Sequence, residues 1–406
     1  MMEKALPGRS ARLPSRELVF CAALALTTVC HILDSTVVPP MLGETFSETA
    51  LKAFRYVSYL LAAVSLLMNR SYSRRSLVLI LAVLALAVVN ARTAGNLLML
   101  SLLFAAGIVG LDYRRVARVQ LAVMIATFAF VVLSSLIGLV DNWGFELDSA
   151  RPRYCLGFYY PSHATSLFFY IVLLFCALKG RELRLWHVLV IAALDLWQFH
   201  YTDARAGTLL ALAAPAVMYL LRRRPVPPKH ISWVLELSFV LCAAASLLIT
   251  WVYAKELLDL SWLNRLLSSR LDLQRDAFAA YHVGLFGQQI DWIGYGGTGY
   301  THAAVGDSYN FIDCSYLKVL FDQGILMWAV VLLGFTAACF RASKQGDYPL
   351  LLALSFSALY CAVEQWLIRP GYHPFFILIG ALFLIGTDQP DHRIRFSGAK
   401  AGEVRS

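Results

Sequence analysis

Seven arginines pose the first chemical question: Arg151, Arg153, Arg205, Arg265, Arg270, Arg275 and Arg369. They stand beside stretches too apolar to hold a bare cation, since an Arg or Asp at a bilayer centre costs roughly 2.5–3.5 kcal/mol on insertion scales. A guanidinium is planar, permanently charged and shaped to grip two oxygens at once. A set of them therefore suits phosphate or pyrophosphate. Groups that could move a proton or orient an arginine are Asp203, Asp307, Asp313, Glu364 and His302. The stretch "YTDARAGTLLAL" (201–212) is the sharpest case, because Asp203 and Arg205 interrupt an apolar run. That pair must lie at a membrane surface, line a wet cavity or bind something charged.

The elements that position these residues follow from composition. Of 406 residues, 59% are hydrophobic and only 15% charged, with a mean hydropathy of +0.63. Soluble domains carry nearer 25% charge. Apolar runs of about 18–22 residues recur along the chain, the length that spans roughly 30 Å of hydrocarbon. The runs are continuous rather than alternating, which argues for helices and against a barrel. The fold class is all-α integral membrane. The basic start "MMEKALPGRSARLPSR" leads into an apolar run with no small-residue cleavage pattern. It reads as a tail and a first span rather than a signal peptide.

A net charge of +9 raises the question of nucleic acid, and its placement argues against it. Basic residues cluster in short connections: "NRSYSRRS", "DYRRVAR", "KGRELRLW", "LRRRPVPPKH", "RASKQ" and the tail "DHRIRFSGAK". These are cytoplasmic loops by the positive-inside rule. About twelve spans result, near 18–38, 50–68, 76–90, 95–111, 117–140, 162–178, 186–203, 206–221, 231–252, 314–340, 347–367 and 372–387. Residues 1–17 and 388–406 are then cytoplasmic tails, 18–252 hold nine spans, 253–312 form a long outward loop, and 313–387 hold the last three. All seven arginines fall outside, against the usual bias. The long loop carries "LLSSRLDLQRDAFAAYHVGLF", whose apolar spacing suits a helix along the membrane surface. Trp262, Tyr281, Phe286, Trp292, Tyr295, Tyr300, Tyr309 and Tyr316 form either an interfacial belt or sugar-stacking platforms.

Four ordered stretches carry a resemblance. "RYCLGFYYPSH" (153–163) is similar to an Arg–x–x–x–Gly–Phe–x–His–Pro–Asn motif, and "TDARAGTLLAL" (202–212) to a Ser–Arg–x–Gly motif opening a helix. "SRLDLQRDAFAAYHVGLFGQQ" (269–289) is similar to a Gly–Arg segment with an amphipathic helix, and "FIDCSYLKVLFDQGIL" (311–326) to an Asp–Asn–Ser–Tyr–Leu motif ending in Gly–Ile. Together they resemble the bacterial Wzy-type polysaccharide polymerases and the O-antigen ligases, membrane glycosyltransferases of the GT-C type. Tyr160 replaces the family's His, Ser162 its Asn, Asp203–Ala204 its Gly–Ser and Cys314 its Asn. Asp313, where ligases commonly carry His, fits the polymerase branch.

The resemblance implies a reaction. The donor is an oligosaccharide on undecaprenyl pyrophosphate at the outer face of a bacterial plasma membrane. An acceptor glycan hydroxyl attacks the anomeric carbon with inversion, and undecaprenyl pyrophosphate leaves. No cofactor or metal is implied, and a flippase and a chain-length regulator are implied partners. Arg153, Arg205 and Arg270 would bind the pyrophosphate. Asp313 would be the base, unless it is only a helix N-cap, and Arg205 would share the catalytic role. Tyr160 and Tyr316 would touch substrate, with core packing the alternative for Tyr316. Further candidates are Asp203, which would orient Arg205, and Arg275, His302, Asp307, Glu364 and Arg369. Glu364 would reach Arg369 or face the cavity. Cys155 and Cys314, both outward, are expected to be unpaired thiols.

Other classes compete. An O-antigen-ligase-type transferase shares the chemistry and differs in acceptor. A polysaccharide or lipid transporter would line its spans with charge, often on broken helices, and no internal repeat supports one. A metal-dependent GT-C enzyme would use acids of the first outer loop, where Asp34, Glu44 and Glu48 stand without a paired-acid motif.

Overall fold

A computed structural model describes residues 15–69, 72–145, 152–223, 228–294 and 309–386. His302, Asp307, Arg151, Tyr295 and Tyr300 lie outside the described residues. The described chain is almost wholly helical, and every apolar window became a helix.

Among the described residues, six helices are long and apolar enough to cross a membrane. They are α1 (Ser15–Leu33), α3 (Glu44–Leu67, apolar from Ser47, reached through the short α2, Val38–Met41), α4 (Arg74–Ala94), α6 (Tyr113–Leu136), α7 (Pro161–Lys179) and α14 (Ser315–Lys344). The other windows gave shorter or bent pieces. These are α5 (Leu97–Gly107), α8 (Leu185–Thr202), α9 (Arg205–Leu221) and α15 (Tyr348–Cys361). Helices α10 (Lys229–Glu236) and α11 (Ser238–Ala254) meet at 65° and make a seventh span if counted as one. The last window, expected as a twelfth span, is a nine-residue 3-10 helix, Phe376–Leu384. At about 2.0 Å rise per residue it reaches roughly 18 Å, short of the bilayer core. It is buried against α5 and α14 rather than lipid-facing.

Local chemistry marks the helix ends. Ser73 caps α4 by accepting from the Ser76 amide (3.0 Å), and Asp112 caps α6 by accepting from the Arg114 amide (2.9 Å). Pro161 opens α7, where its missing N–H costs nothing. Asp347 caps α15 and pairs with Arg114 at 2.8 Å, joining two connections at one end of the bundle. Helix α7 is the most enclosed span, packed by α6, α8, α9 and α15.

The opposite end is built from loops that lock onto one another. Short strands β1 (Gly144–Phe145) and β2 (Arg153–Tyr154) pair antiparallel. The chain after them is clasped to the end of α1: Val37 donates to the Gly157 carbonyl and Tyr159 to the Ser35 carbonyl, both at 3.0 Å. Helices α12 (Ser261–Leu266) and α13 (Arg270–Ala280) form the helical part of the long loop.

Candidate functional site

Arg270 opens α13 after two left-handed residues, Ser268 and Ser269. Asn264 fixes this start by donating to Asp272 (2.6 Å) and accepting from the Leu271 amide (3.0 Å). Tyr253 of α11 also donates to Asp272 (2.6 Å), and Thr250 donates to Gln274 (2.6 Å). The helix is therefore anchored on α11 with Arg270 turned inward. Its guanidinium meets Asp313 at 2.8 Å and Glu364 at 3.4 Å. Burial pulls the Arg270 pKa down, and the two carboxylates more than offset it, so it lies above the ordinary value.

The carboxylates are held from behind. Ser315 donates to the Glu364 carbonyl and accepts from the Leu367 amide (3.3 Å), tying the start of α14 to the chain beyond α15. Ser166 of α7 donates to Glu364 (3.4 Å) and shares a hydrogen bond with Tyr360 (2.8 Å). The Glu364 side chain is 6% exposed and that of Asp313 is 21% exposed. Glu364 therefore reaches Arg270 rather than Arg369. Asp313 does not cap α14: Cys314 occupies that position without a side-chain cap bond.

Helix α14 is broken at Gly324, about two and a half turns in. Gly324 has φ +71°, and a Cβ there would lie 2.4 Å from the Phe286 carbonyl carbon. The loop around Gly284–Gln288 enters this break. Gly284 and Leu285 carbonyls accept from the Ile325 (3.0 Å) and Leu326 (3.2 Å) amides, and Gln288 donates to the Asp322 carbonyl (3.2 Å). Gly287 passes so close that a Cβ would fall 2.0 Å from the Asp322 carbonyl oxygen, and its amide donates to Asn90 of α4 (2.9 Å). Lys318 lies above the break, 3.7 Å from Asp322, with Trp292 and Phe311 rings 4.2 and 4.5 Å away. Trp292 also donates to Asp322 (2.7 Å). Trp292 and Phe311 thus flank Lys318, with Tyr281 edge-on to Trp292, whereas Trp262 is exposed.

A second irregular segment, 362–375, is wedged into the bundle. Gly371 donates to His31 Nδ1 (3.2 Å), and Gln120 of α6 donates to the Pro370 carbonyl (2.8 Å). Arg369 comes from this segment. Its guanidinium is 5.6 Å from the Trp366 ring and interacts electrostatically with Asp34, which Arg55 already grips at 2.7 Å. Among the described residues Arg369 makes no ion pair or side-chain hydrogen bond.

Arg153 uses its Nε on the Thr202 carbonyl (2.9 Å) and lies 5.9 Å from the Tyr160 ring. Tyr160 interacts electrostatically with Arg153, Asp313, Arg270 and Glu364. Burial pushes its phenol up, and Arg153 opposes this.

Several candidates are placed elsewhere. Arg205 begins α9 with its side chain 83% exposed, 3.7 Å from Asp203, which is the left-handed C-cap of α8 (φ +47°). Among the described residues no interaction joins it to the Arg270 cluster. The opening question about "YTDARAGTLLAL" resolves to a surface junction. Arg275 is spent on Asp276 (3.0 Å) and Asp272 (3.4 Å) on the outer face of α13. Tyr316 is 0% exposed and donates to the Ala358 carbonyl (2.7 Å), so it is a packing residue and not a substrate contact. All eight cysteines, Cys155 and Cys314 included, are free thiols. Lys318, His163 and Trp366 are site neighbours that motif reading passed over. A His three residues after Tyr160 in the quoted motif was the available signal for His163.

Among the described residues, no three His, Cys, Asp or Glu side chains gather where they could hold a metal ion. An apolar groove of about 830 Å³ runs between α6, α7 and α8, and Gln198 stands at its polar edge. Gln198 donates to Thr165 (2.8 Å), Thr165 contacts Thr202 (3.3 Å), and Thr202 carries Arg153, so the groove leads toward the site. No protein-family model, curated protein or solved structure matches this chain.

Proposed function

We propose that the protein is an inverting glycosyltransferase that polymerises oligosaccharide units carried on undecaprenyl pyrophosphate. In this reading it is a multi-span protein of GT-C type in a bacterial plasma membrane, with both termini cytoplasmic and the site facing outward. The observation that carries it is the Arg270–Asp313–Glu364 set, an enclosed charge cluster at one end of an apolar bundle.

The chemistry asks for a carboxylate placed to take a proton and cations near the leaving group. Asp313 is the more exposed carboxylate, at 21% against 6% for Glu364. The acceptor hydroxyl oxygen bonds to the anomeric carbon and its proton passes to Asp313. The bond from that carbon to the diphosphate oxygen breaks, and the diphosphate leaves with the electron pair. Arg270 holds Asp313 in the orientation that receives the proton. The apolar groove beside α7 offers room for a long isoprenoid tail. Transfer of a finished glycan to another acceptor uses the same residues and differs in product.

A transporter of an anionic lipid or sugar is the second reading, and a specific observation favours it. Irregular backbone at membrane depth is tolerated where it lines a cavity, and the Gly324 break and the 362–375 segment both fit that rule. Proteoliposomes given a labelled lipid-pyrophosphate oligosaccharide separate the readings. A ladder of longer saccharides supports polymerisation, and a single added glycan supports the ligase form. Label crossing the membrane without new glycosidic bonds would replace both with transport.

A further inference from the structure

One carboxyl group lies deep in the bundle and away from the charged site. Asp195 stands in the middle of α8, 0% exposed, and neither of its carboxyl oxygens has a hydrogen-bond partner among the described residues. It shares the inward face of α8 with His187, Ile191, Gln198 and Thr202, which recur at helical spacing. Other enclosed carboxylates are matched: Asp313 and Glu364 by Arg270, Asp322 by Lys318 and Trp292, Asp347 by Arg114.

The elements packed against α8 are α7, α9 and β2. Their titratable and charged groups are His163, Tyr170, Cys176 and Lys179 on α7, Arg205 and Tyr219 on α9, and Arg153 and Tyr154 on β2. None of them interacts electrostatically with Asp195, and neither does His187 or His200 of α8 itself. A bare carboxylate enclosed in apolar surroundings is among the costliest of buried groups, and a carboxyl at membrane depth is retained for a use. Something must therefore occupy those oxygens. A metal cation would need several further oxygen ligands. The polar groups along the stripe are spent on one another: Gln198 donates to Thr165 (2.8 Å), Thr165 meets Thr202 (3.3 Å), and Thr202 donates to the Gln198 carbonyl (3.1 Å). A proton needs no second ligand.

We propose that Asp195 is a proton-binding site inside the bundle, occupied while Gln198 is held by Thr165. Release is a plain acid dissociation: the O–H bond breaks, the carboxylate keeps the electron pair, and the proton passes to water. The bare carboxylate then competes for the nearest donor, the Gln198 amide one turn away on the same face. Gln198 leaves Thr165, and the Thr165–Thr202 contact loses its support. Thr202 carries Arg153 through its carbonyl, and Ser166, next to Thr165, donates to Glu364. The proton at Asp195 is thus linked to the geometry of the charged site. The proposal rests on neither functional reading. In glycosyl transfer the proton sets the shape of the site, and in transport it is the coupling ion.

The test reads the proton itself. Infrared spectra of purified protein in detergent at neutral pH are compared for wild type, Asp195→Asn and Asp313→Asn. The C=O stretch of a protonated carboxyl should be present in wild type, lost in Asp195→Asn and kept in Asp313→Asn. Dicyclohexylcarbodiimide, which reacts with protonated carboxyls, gives a second readout by peptide mass spectrometry and serves where Asp195→Asn does not fold. Its adduct on Asp195 should exceed that on Asp313, although Asp313 is the more exposed. Hydrogen exchange tests the link to Gln198. At a pH where the wild-type band has gone, amides around Gln198–Thr202 should exchange faster in wild type than in Asp195→Asn at the same pH. A wild-type spectrum without the band, a band that survives Asp195→Asn, or an adduct confined to Asp313 overturns the proton site. Equal exchange in the two proteins overturns its link to Gln198.

Discussion

Arg270 and Arg205 make an instructive pair. Each is the first residue of a helix, and each follows a left-handed turn, at Ser269 and at Asp203. One side chain is 21% exposed and gripped by carboxylates from distant parts of the chain; the other is 83% exposed and 3.7 Å from Asp203. The local sequence is similar, and the difference is made by tertiary structure. Helix α13 is tied down on α11 by Asp272 and Gln274, and the 362–375 segment brings Glu364 to it. Among the described residues the α8–α9 junction has no comparable cover. A buried ion pair matters through what its loss exposes, and a surface pair contributes little.

The largest effect is expected where the contrast is greatest. Arg270→Ala strands Glu364 and Asp313 as like charges in a closed site, which costs about 3–5 kcal/mol and abolishes transfer. Thermal unfolding in detergent measures the first part. Next, Asp313→Asn keeps the shape and removes the proton acceptor. Transfer should fall by roughly 10²–10⁴ while the melting temperature changes far less than for Arg270→Ala, since Glu364 still balances Arg270. Gly324→Ala tests the support rather than the charges. A side chain at φ +71° against the Phe286 carbonyl should cost about 1–3 kcal/mol and free the Gly284–Gln288 loop, read as faster hydrogen exchange at the Ile325 and Leu326 amides. The smallest effect is Arg205→Ala, with stability within about 0.5 kcal/mol and transfer close to wild type. A large loss there would erase the contrast and restore Arg205 to the site.

Much of the helix content was legible because hydropathy alone places helices in a chain with this little charge. Helix length was less legible. The last apolar window reads as a span, yet its residues serve as a short 3-10 plug, and its low polarity is that of an interior and of lipid alike. Arg153, Arg270, Asp313 and Tyr160 were picked by type and motif, and they do converge. Glu364 stood out as a carboxylate in an apolar run, but its partner did not, because that contact joins residues 94 apart. The edge-on contact of Trp366 with His163, 5.0 Å apart, was not legible, since the 362–375 segment carries no helical period to register it against α7. Tyr316 misled because a tyrosine in a motif looks the same whether it meets a sugar or the Ala358 carbonyl.

The most direct measurement is a transfer assay with a lipid-pyrophosphate oligosaccharide, run on wild type, Asp313→Asn and Arg205→Ala in one detergent. The account expects a saccharide ladder from wild type and Arg205→Ala and none from Asp313→Asn. Transfer that survives in Asp313→Asn and disappears in Arg205→Ala would contradict it, as would a wild-type protein that makes no glycosidic bond.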